Sequence, residues 1–461
     1  MASRATSKGI VPVMRSSDAN FEATFFKMIE RRHEEADNID KSVRKILQRV
    51  RDGGDEELLA CVRKFDGAKI KSIKDFEVSN DERDAAAEQI DAADRAALGK
   101  AAMRVREFHR KRIPSSWEVR EEGGATFGHR VRPLHRVGIY VPGGKAMYPS
   151  SVIMNAVPAS VVEVPEIIMA TPAQPDGSIC PEVLLAAKVA GVHRIFKMGG
   201  AHAIAAMTYG TETVPRVDKI VGPGSIWVST AKRLVFGDVA IDTEAGPTEV
   251  AIVADRTATP AWLAADLIAQ AEHDELASAI LITHTNAIVA RVQEQLAKQL
   301  KELDRAKIAK KALTSRGKII VTKNVNESIE IANRYAPEHL VLALDDADAV
   351  SKQVTNAGAL FLGHYTPVAV GDYIAGPNHV LPTGGTARFF SPLGVDDFLK
   401  RMSVTRFEPQ KLRELGADVI RLAAIEGLTG HGASIDLRLQ QIRSARRQRE
   451  AARDAKAEIK A

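Results

Sequence analysis

The spacing of apolar positions changes twice along the chain. Over residues 18–132 the sequence is polar, with apolar side chains at helical intervals. Ser79-Asn-Asp-Glu82 supplies cap residues and early acids ahead of an alanine-rich run. From Pro133 short apolar runs alternate with helical patterns. The runs at 137–141, 166–171, 194–198 and 219–221 predict buried strands, and 151–162, 181–192 and 201–209 predict the helices between them. A second set follows, with strands at 249–254, 279–283, 317–322, 340–344 and 358–362. Its helices fall near 261–273, 286–301, 325–335 and 346–356. Continuous apolar strands separated by helical segments are the mark of parallel sheets with crossover helices, so two α/β domains are expected. After Ser391 the pattern is helical again.

These patterns divide the chain into a disordered basic N-terminus (1–17), a helical region (18–132), two α/β domains (133–247 and 248–391), a C-terminal segment (392–442) and a basic tail (443–461). At 461 residues, 45% hydrophobic and 27% charged, the composition is that of a globular protein and excludes collagen-like or disordered chains. No run approaches the ~18 apolar residues of a membrane span, and no apolar secretory core stands at the start, so a cytoplasmic protein is expected. The net charge of +5 is concentrated at the ends: seven basic residues against three acidic lie beyond Ile442, and three unopposed basic residues lie before Ser17. The body is slightly acidic, which argues against a nucleic-acid enzyme. Only Cys61 and Cys180 occur, without CxxC spacing, so any metal must be held by nitrogen and oxygen.

Glycine pairs end three of the first domain's strands: Tyr140-Val-Pro-Gly-Gly144, Met198-Gly-Gly200 and Val221-Gly-Pro-Gly224. Strand carboxyl ends are where open α/β sheets bind ligands, and backbone N–H groups there could meet a phosphate. Neither GxGxxG nor a P-loop word is present. Four further clusters carry titratable groups. Gln270 and His273 share a helix face beside Glu272 and Asp274. Glu338 and His339 begin a strand, on opposite sides unless a bend brings them together, and suit an acid/base pair. Asp372 and His379 lie in a glycine-bounded loop, and Glu426 and His431 in a turn near the C-terminus. Together they supply the three or four nitrogen and oxygen ligands of a zinc-type ion, and spacing does not choose among them.

The words Arg136-Val-Gly-Ile-Tyr-Val-Pro-Gly-Gly144, Tyr148-Pro-Ser-Ser-Val-Ile-Met-Asn155, Ala245-Gly-Pro-Thr-Glu249, Gln270-Ala-Glu-His273, Ala336-Pro-Glu-His-Leu340 and Asn378-His-Val-Leu-Pro-Thr383 resemble histidinol dehydrogenase, over about residues 42–438. The resemblance implies oxidation of L-histidinol to L-histidine through the aldehyde, with one Zn2+ per subunit and two NAD+. It implies two incomplete Rossmann-like domains with parallel sheets, the first on the cofactor side, and a homodimer with a shared active site built on a C-terminal dimerisation segment. It places zinc on Gln270, His273, Asp372 and His431, the last reaching into the partner's site, and acid/base chemistry on Glu338 and His339. Substrate contacts fall on Thr248, His339 and Glu426 beside the zinc ligands, and cofactor contacts on Tyr140, His202 and Ser225. Three positions depart from the family pattern: His202 stands for Gln, Ser225 for Asn and Thr248 for Ser. Those departures keep another small alcohol, such as a sulfonated diol or amino alcohol, as the alternative substrate. A zinc hydrolase is a further alternative, because Glu338 could activate a metal-bound water.

Overall fold

The computed structural model of the chain describes residues 9–30, 37–143, 147–244 and 246–458. Strand β1 (Val13–Arg15) comes first, followed by a hairpin of β2 (Trp117–Arg120) and β3 (Ala125–Pro133). The first α/β domain contains β4 (Arg136–Tyr140), β5 (Glu166–Thr171), β6 (Arg194–Lys197), β7 (Lys219–Val221) and β8 (Ala240–Ile241). All are parallel, in the order β6-β5-β4-β7-β8. The second contains β9 (Glu249–Ala254), β10 (Ser278–Thr283), β11 (Lys318–Val321), β12 (His339–Ala343) and β13 (Ala359–Leu362). Its sheet is also parallel, in the order β1-β11-β10-β9-β12-β13.

Helices cover both faces of the second sheet, which is why its strands are apolar at every position. Every residue of β9 is buried: Val250, Ile252 and Ala254 join the core on one face, and Ala251 and Val253 join the other. Among the described residues, no helix is long and apolar enough to cross a membrane.

The N-terminus, expected to be a disordered arm through residue 17, is ordered from residue 9 and adds β1 to the edge of the second sheet. Val11 and Met14 are buried there, and the part before residue 9 lies outside the described residues. The region 18–132, expected to be helical, ends in the β2/β3 hairpin. That hairpin pairs with β14 (Leu399–Phe407), which falls where helix was expected to resume. All four residues of β2 are exposed, so no buried apolar run announces the strand.

By compactness Pro114–Arg132 and Leu399–Ala461 form a unit of their own, and Met1–Ile113 with Pro133–Phe398 forms the other. In the smaller unit the helix Pro409–Ile425 packs on the helix Thr429–Glu458, with Gly416 against Ile435 and Leu439. The second helix runs without a break across residue 442, so the tail is its solvent-exposed continuation rather than a separate segment.

Candidate active site

The site residues of the second domain gather at the amino ends of its parallel strands. Glu249 opens β9, His339 opens β12, and Gln270 and His273 lie just before β10. The bend that Glu338 and His339 require is present: Ala336 ends the preceding helix at φ 50°, a left-handed conformation uncommon for a residue with a Cβ, and Pro337 follows. Both side chains are consequently buried and meet, with His339 Nδ1 3.6 Å from Glu338 Oε2.

A chain of hydrogen bonds fixes the protons of this cluster. Glu338 Oε2 accepts from Thr248 Oγ1 at 2.5 Å and from the Glu249 backbone N–H at 2.8 Å. Thr248 Oγ1 in turn accepts from Gln270 Nε2 at 2.5 Å. His339 Nδ1 lies 2.9 Å from the Glu249 carbonyl, so Nδ1 carries the ring proton and donates. His339 Nε2 is therefore the lone-pair nitrogen, and it is buried with no hydrogen-bond partner. Burial lowers the His339 pKa, which keeps that nitrogen free of a proton. Burial pushes Glu338 up to about 7, against the pull of Thr248 and Glu249.

Asp372 Oδ1 lies 3.9 Å from His339 Nε2, and burial raises its carboxyl to about 6. His379 Nδ1 meets the Asp372 carbonyl at 3.0 Å, and burial lowers its pKa to about 4. Asp372, expected in a loop, lies in the short helix Val368–Tyr373, and Asn378 anchors the segment after it by donating from Nδ2 to the Met154 carbonyl at 2.7 Å, in a helix of the first domain. His273 sits at an exposed rim, and surrounding atoms still desolvate its ring enough to lower its pKa.

Gln270, His273 and Asp372 thus come together with Glu338, His339 and Thr248. Among the described residues, no three His, Cys, Asp or Glu side chains are clustered to hold a metal. The desolvated Asp372 carboxyl and the unpartnered His339 Nε2 fit a cation bound beside them. Glu426 and His431 belong to the smaller unit and both are exposed: Glu426 stands at the turn between its two helices, with Gly427 at φ 72°, while His431, expected in that turn, lies in the first turn of the helix Thr429–Glu458.

On the first sheet the three expected cofactor residues differ in kind. Tyr140, buried at the end of β4, accepts from the Gly200 N–H at 3.1 Å, and burial raises its phenol to about 12. His202 is 1% exposed, with Nε2 3.1 Å from Asp66 Oδ2 and its ring stacked on Phe65. Its side chain is therefore held against Asp66 and Phe65. Ser225 is exposed and caps the helix Ile226–Val235 without a side-chain hydrogen bond.

Three of the glycine-turn N–H groups that could have met a phosphate are already engaged within the protein. Gly199 N–H donates to Asp66, Gly200 N–H to Tyr140 and Gly222 N–H to Asp242. Two of those acceptors are carboxylates, which would repel an anion at the same spot. Gly144 lies outside the described residues.

Sequence reasoning missed Asp66, Asp242 and Lys232. Lys232 donates to the Gly222 carbonyl at 2.9 Å and pairs with Asp242, so both groups hold the Gly222 turn. No local pattern marks Asp66, because its partners lie more than 130 residues away. Lys232 did carry a signal: it is a cation on the buried face of an amphipathic helix.

The model of the histidinol dehydrogenase family matches residues 29–439. The chain is 50% identical to the histidinol dehydrogenase of Geobacter metallireducens over 430 residues, which is 93% of this chain and 98% of that one. It is 48% identical to that of Syntrophotalea carbinolica over 423 residues, 92% of this chain and 98% of that one. The crystal structure of histidinol dehydrogenase from Elizabethkingia anophelis superposes with a TM-score of 0.89 at 33% identity, covering 95% of this chain and all of that one. The match across nearly the whole length, joined to the buried Glu338–His339 pair, places this chain in the histidinol dehydrogenase family.

Proposed function

We propose that the protein oxidises L-histidinol to L-histidine by way of the aldehyde, as a zinc- and NAD+-dependent homodimer in the cytoplasm, in the last steps of histidine biosynthesis. The observation that carries this reading is the pairing of a tautomer-fixed, unpartnered imidazole nitrogen with a buried carboxyl, beside nitrogen and oxygen donors suited to zinc. Gln270, His273 and Asp372 would hold the metal with His431 from a second copy, and Glu426 would face the substrate amine. When bound, Zn2+ would supply a Lewis-acid anchor for the substrate's amine and imidazole, and NAD+ the hydride acceptor.

His339 Nε2 receives the proton of the substrate hydroxyl, and Nδ1–H, tied to the Glu249 carbonyl, steadies the imidazolium that results. Glu338 takes a proton from the water that hydrates the aldehyde. Both protein hydrogen bonds to Glu338 arrive on Oε2, so Oε1 is the atom that carries this proton without breaking the network. Tyr140, His202 and Ser225 would contact the cofactor.

The test is to mix purified protein with Zn2+, NAD+ and L-histidinol and count NADH formed per substrate consumed. Two per histidinol, abolished by a chelator and restored by Zn2+, is the expected result. Turnover confined to another small alcohol would refute the substrate, and turnover unaffected by chelation would refute the metal.

A further inference from the structure

We infer that Thr248 is a positioning residue that sets two groups at once: the carboxylate of Glu338 and the amide of Gln270. The inference rests on the zinc reading above and assigns Thr248 a role other than touching substrate. A hydroxyl has one proton, and at 2.5 Å from a carboxylate oxygen Thr248 spends it on Glu338 Oε2. Toward Gln270, also 2.5 Å away, Thr248 Oγ1 can then only accept. The Gln270 nitrogen is thereby forced toward Thr248, and its Oε1, the atom able to bind a cation, is turned to the other side.

Gln270 is 4% exposed and Glu338 7%, so no bulk water competes to reorient either group. The branch at Cβ narrows the choice of χ1, which makes a threonine hydroxyl a better-fixed pivot than a serine one. The neighbouring Glu249 N–H closes the clamp on Glu338 Oε2 from the backbone, at 2.8 Å. An amide free to flip would present NH2 to the metal half the time, and supporting hydrogen bonds of this kind change metal affinity by roughly 10–100-fold.

The experiment compares wild type with Thr248→Val, which keeps the shape and removes the hydroxyl, and Thr248→Ser, which keeps the hydroxyl. Zn2+ affinity is measured by chelator competition on the metal-stripped full chain, alongside kcat and KM for histidinol. The expected result is a roughly tenfold or greater loss of Zn2+ affinity in Thr248→Val, with Thr248→Ser within about threefold of wild type. Equal Zn2+ affinities for Val and wild type, with only KM raised, would overturn the inference and leave Thr248 a substrate contact. A wild-type protein that does not bind Zn2+ is a different result, which overturns the zinc reading itself. Should Thr248→Val fail to fold, a Thr248→Ser protein weaker for Zn2+ by tenfold while retaining its unfolding midpoint would also count against the inference, because its hydroxyl is present.

Discussion

Replacing Asp242 by Asn keeps the size of a side chain that is almost wholly enclosed and removes its charge. Asp242 offers one oxygen to Lys232 and the other to the Gly222 N–H, and the side-chain exposures of the Lys–Asp pair are 2% and 4%. A carboxylate has two acceptors for these two donors, whereas an amide has one acceptor and one donor. In either orientation, the amide introduced by Asp242→Asn sets N–H against N–H. Stripping one partner from a buried ion pair costs about 3–5 kcal/mol, and that is the loss expected here. The effect should reach the cofactor side, because Gly222 lies at φ 114° and a Cβ on it would come within 2.2 Å of the Tyr140 carbonyl oxygen. Urea unfolding followed by circular dichroism gives the stability change, and isothermal titration gives NAD+ affinity. The paired replacement Lys232→Met with Asp242→Leu leaves no charge unpaired but strips the Gly222 N–H and carbonyl of their partners, so it should recover only part of the stability. An Asp242→Asn protein within about 1 kcal/mol of wild type would refute the reasoning.

Burial raises Glu338 from 4.5 to about 7, so the folded metal-free protein keeps a proton that the unfolded chain releases above about pH 4.5. That contribution is present below pH 4.5 and is lost as pH rises through about 7, amounting to roughly 3 kcal/mol. Urea midpoints of metal-free protein between pH 5 and pH 7.5 should therefore fall more steeply in wild type than in Glu338→Gln, and parallel slopes would contradict the assignment. Cys61 and Cys180 are both buried, and burial raises both thiols, so neither is disposed to act as a nucleophile. A protein carrying Cys61→Ser and Cys180→Ser should oxidise histidinol at close to the wild-type rate. Loss of turnover in a folded double variant would point to a thiohemiacetal in place of a hydrated aldehyde.

The buried parallel strands were legible because both faces are covered and every residue is apolar. Glu249–Ala254, Glu166–Thr171 and Lys219–Val221 stand where the sequence placed them, and the other expected strands shift by one residue at one or both ends. The strands that carry no continuous apolar run were not legible: β2 is wholly exposed, and β1 is three residues long with only Met14 buried. At the candidate site, residue types announced themselves and their partners did not. Glu338 and His339 were visible as a pair, while the φ 50° bend at Ala336 that joins them depends on packing. His202 was legible as a site candidate, and its contact with Asp66 was not. Asp66 and Asp242 hold backbone N–H groups across long chain separations, which no local pattern records.

The strand at the start of the chain bears on how the protein is made. Val13 pairs with Ile319, so this strand leaves the ribosome about 300 residues before its neighbour exists. At ~5–20 residues per second that interval is roughly 15–60 s. During it the first α/β domain has all its strands and can close, while the N-terminal segment remains without its place. The stitch that seals the second sheet is therefore a late event joining an early part of the nascent chain to one made about 300 residues later. A tag or truncation reaching Val11 or Met14 would leave Lys318–Val321 as an uncovered apolar edge, open to strand addition from another copy and hence to aggregation during synthesis.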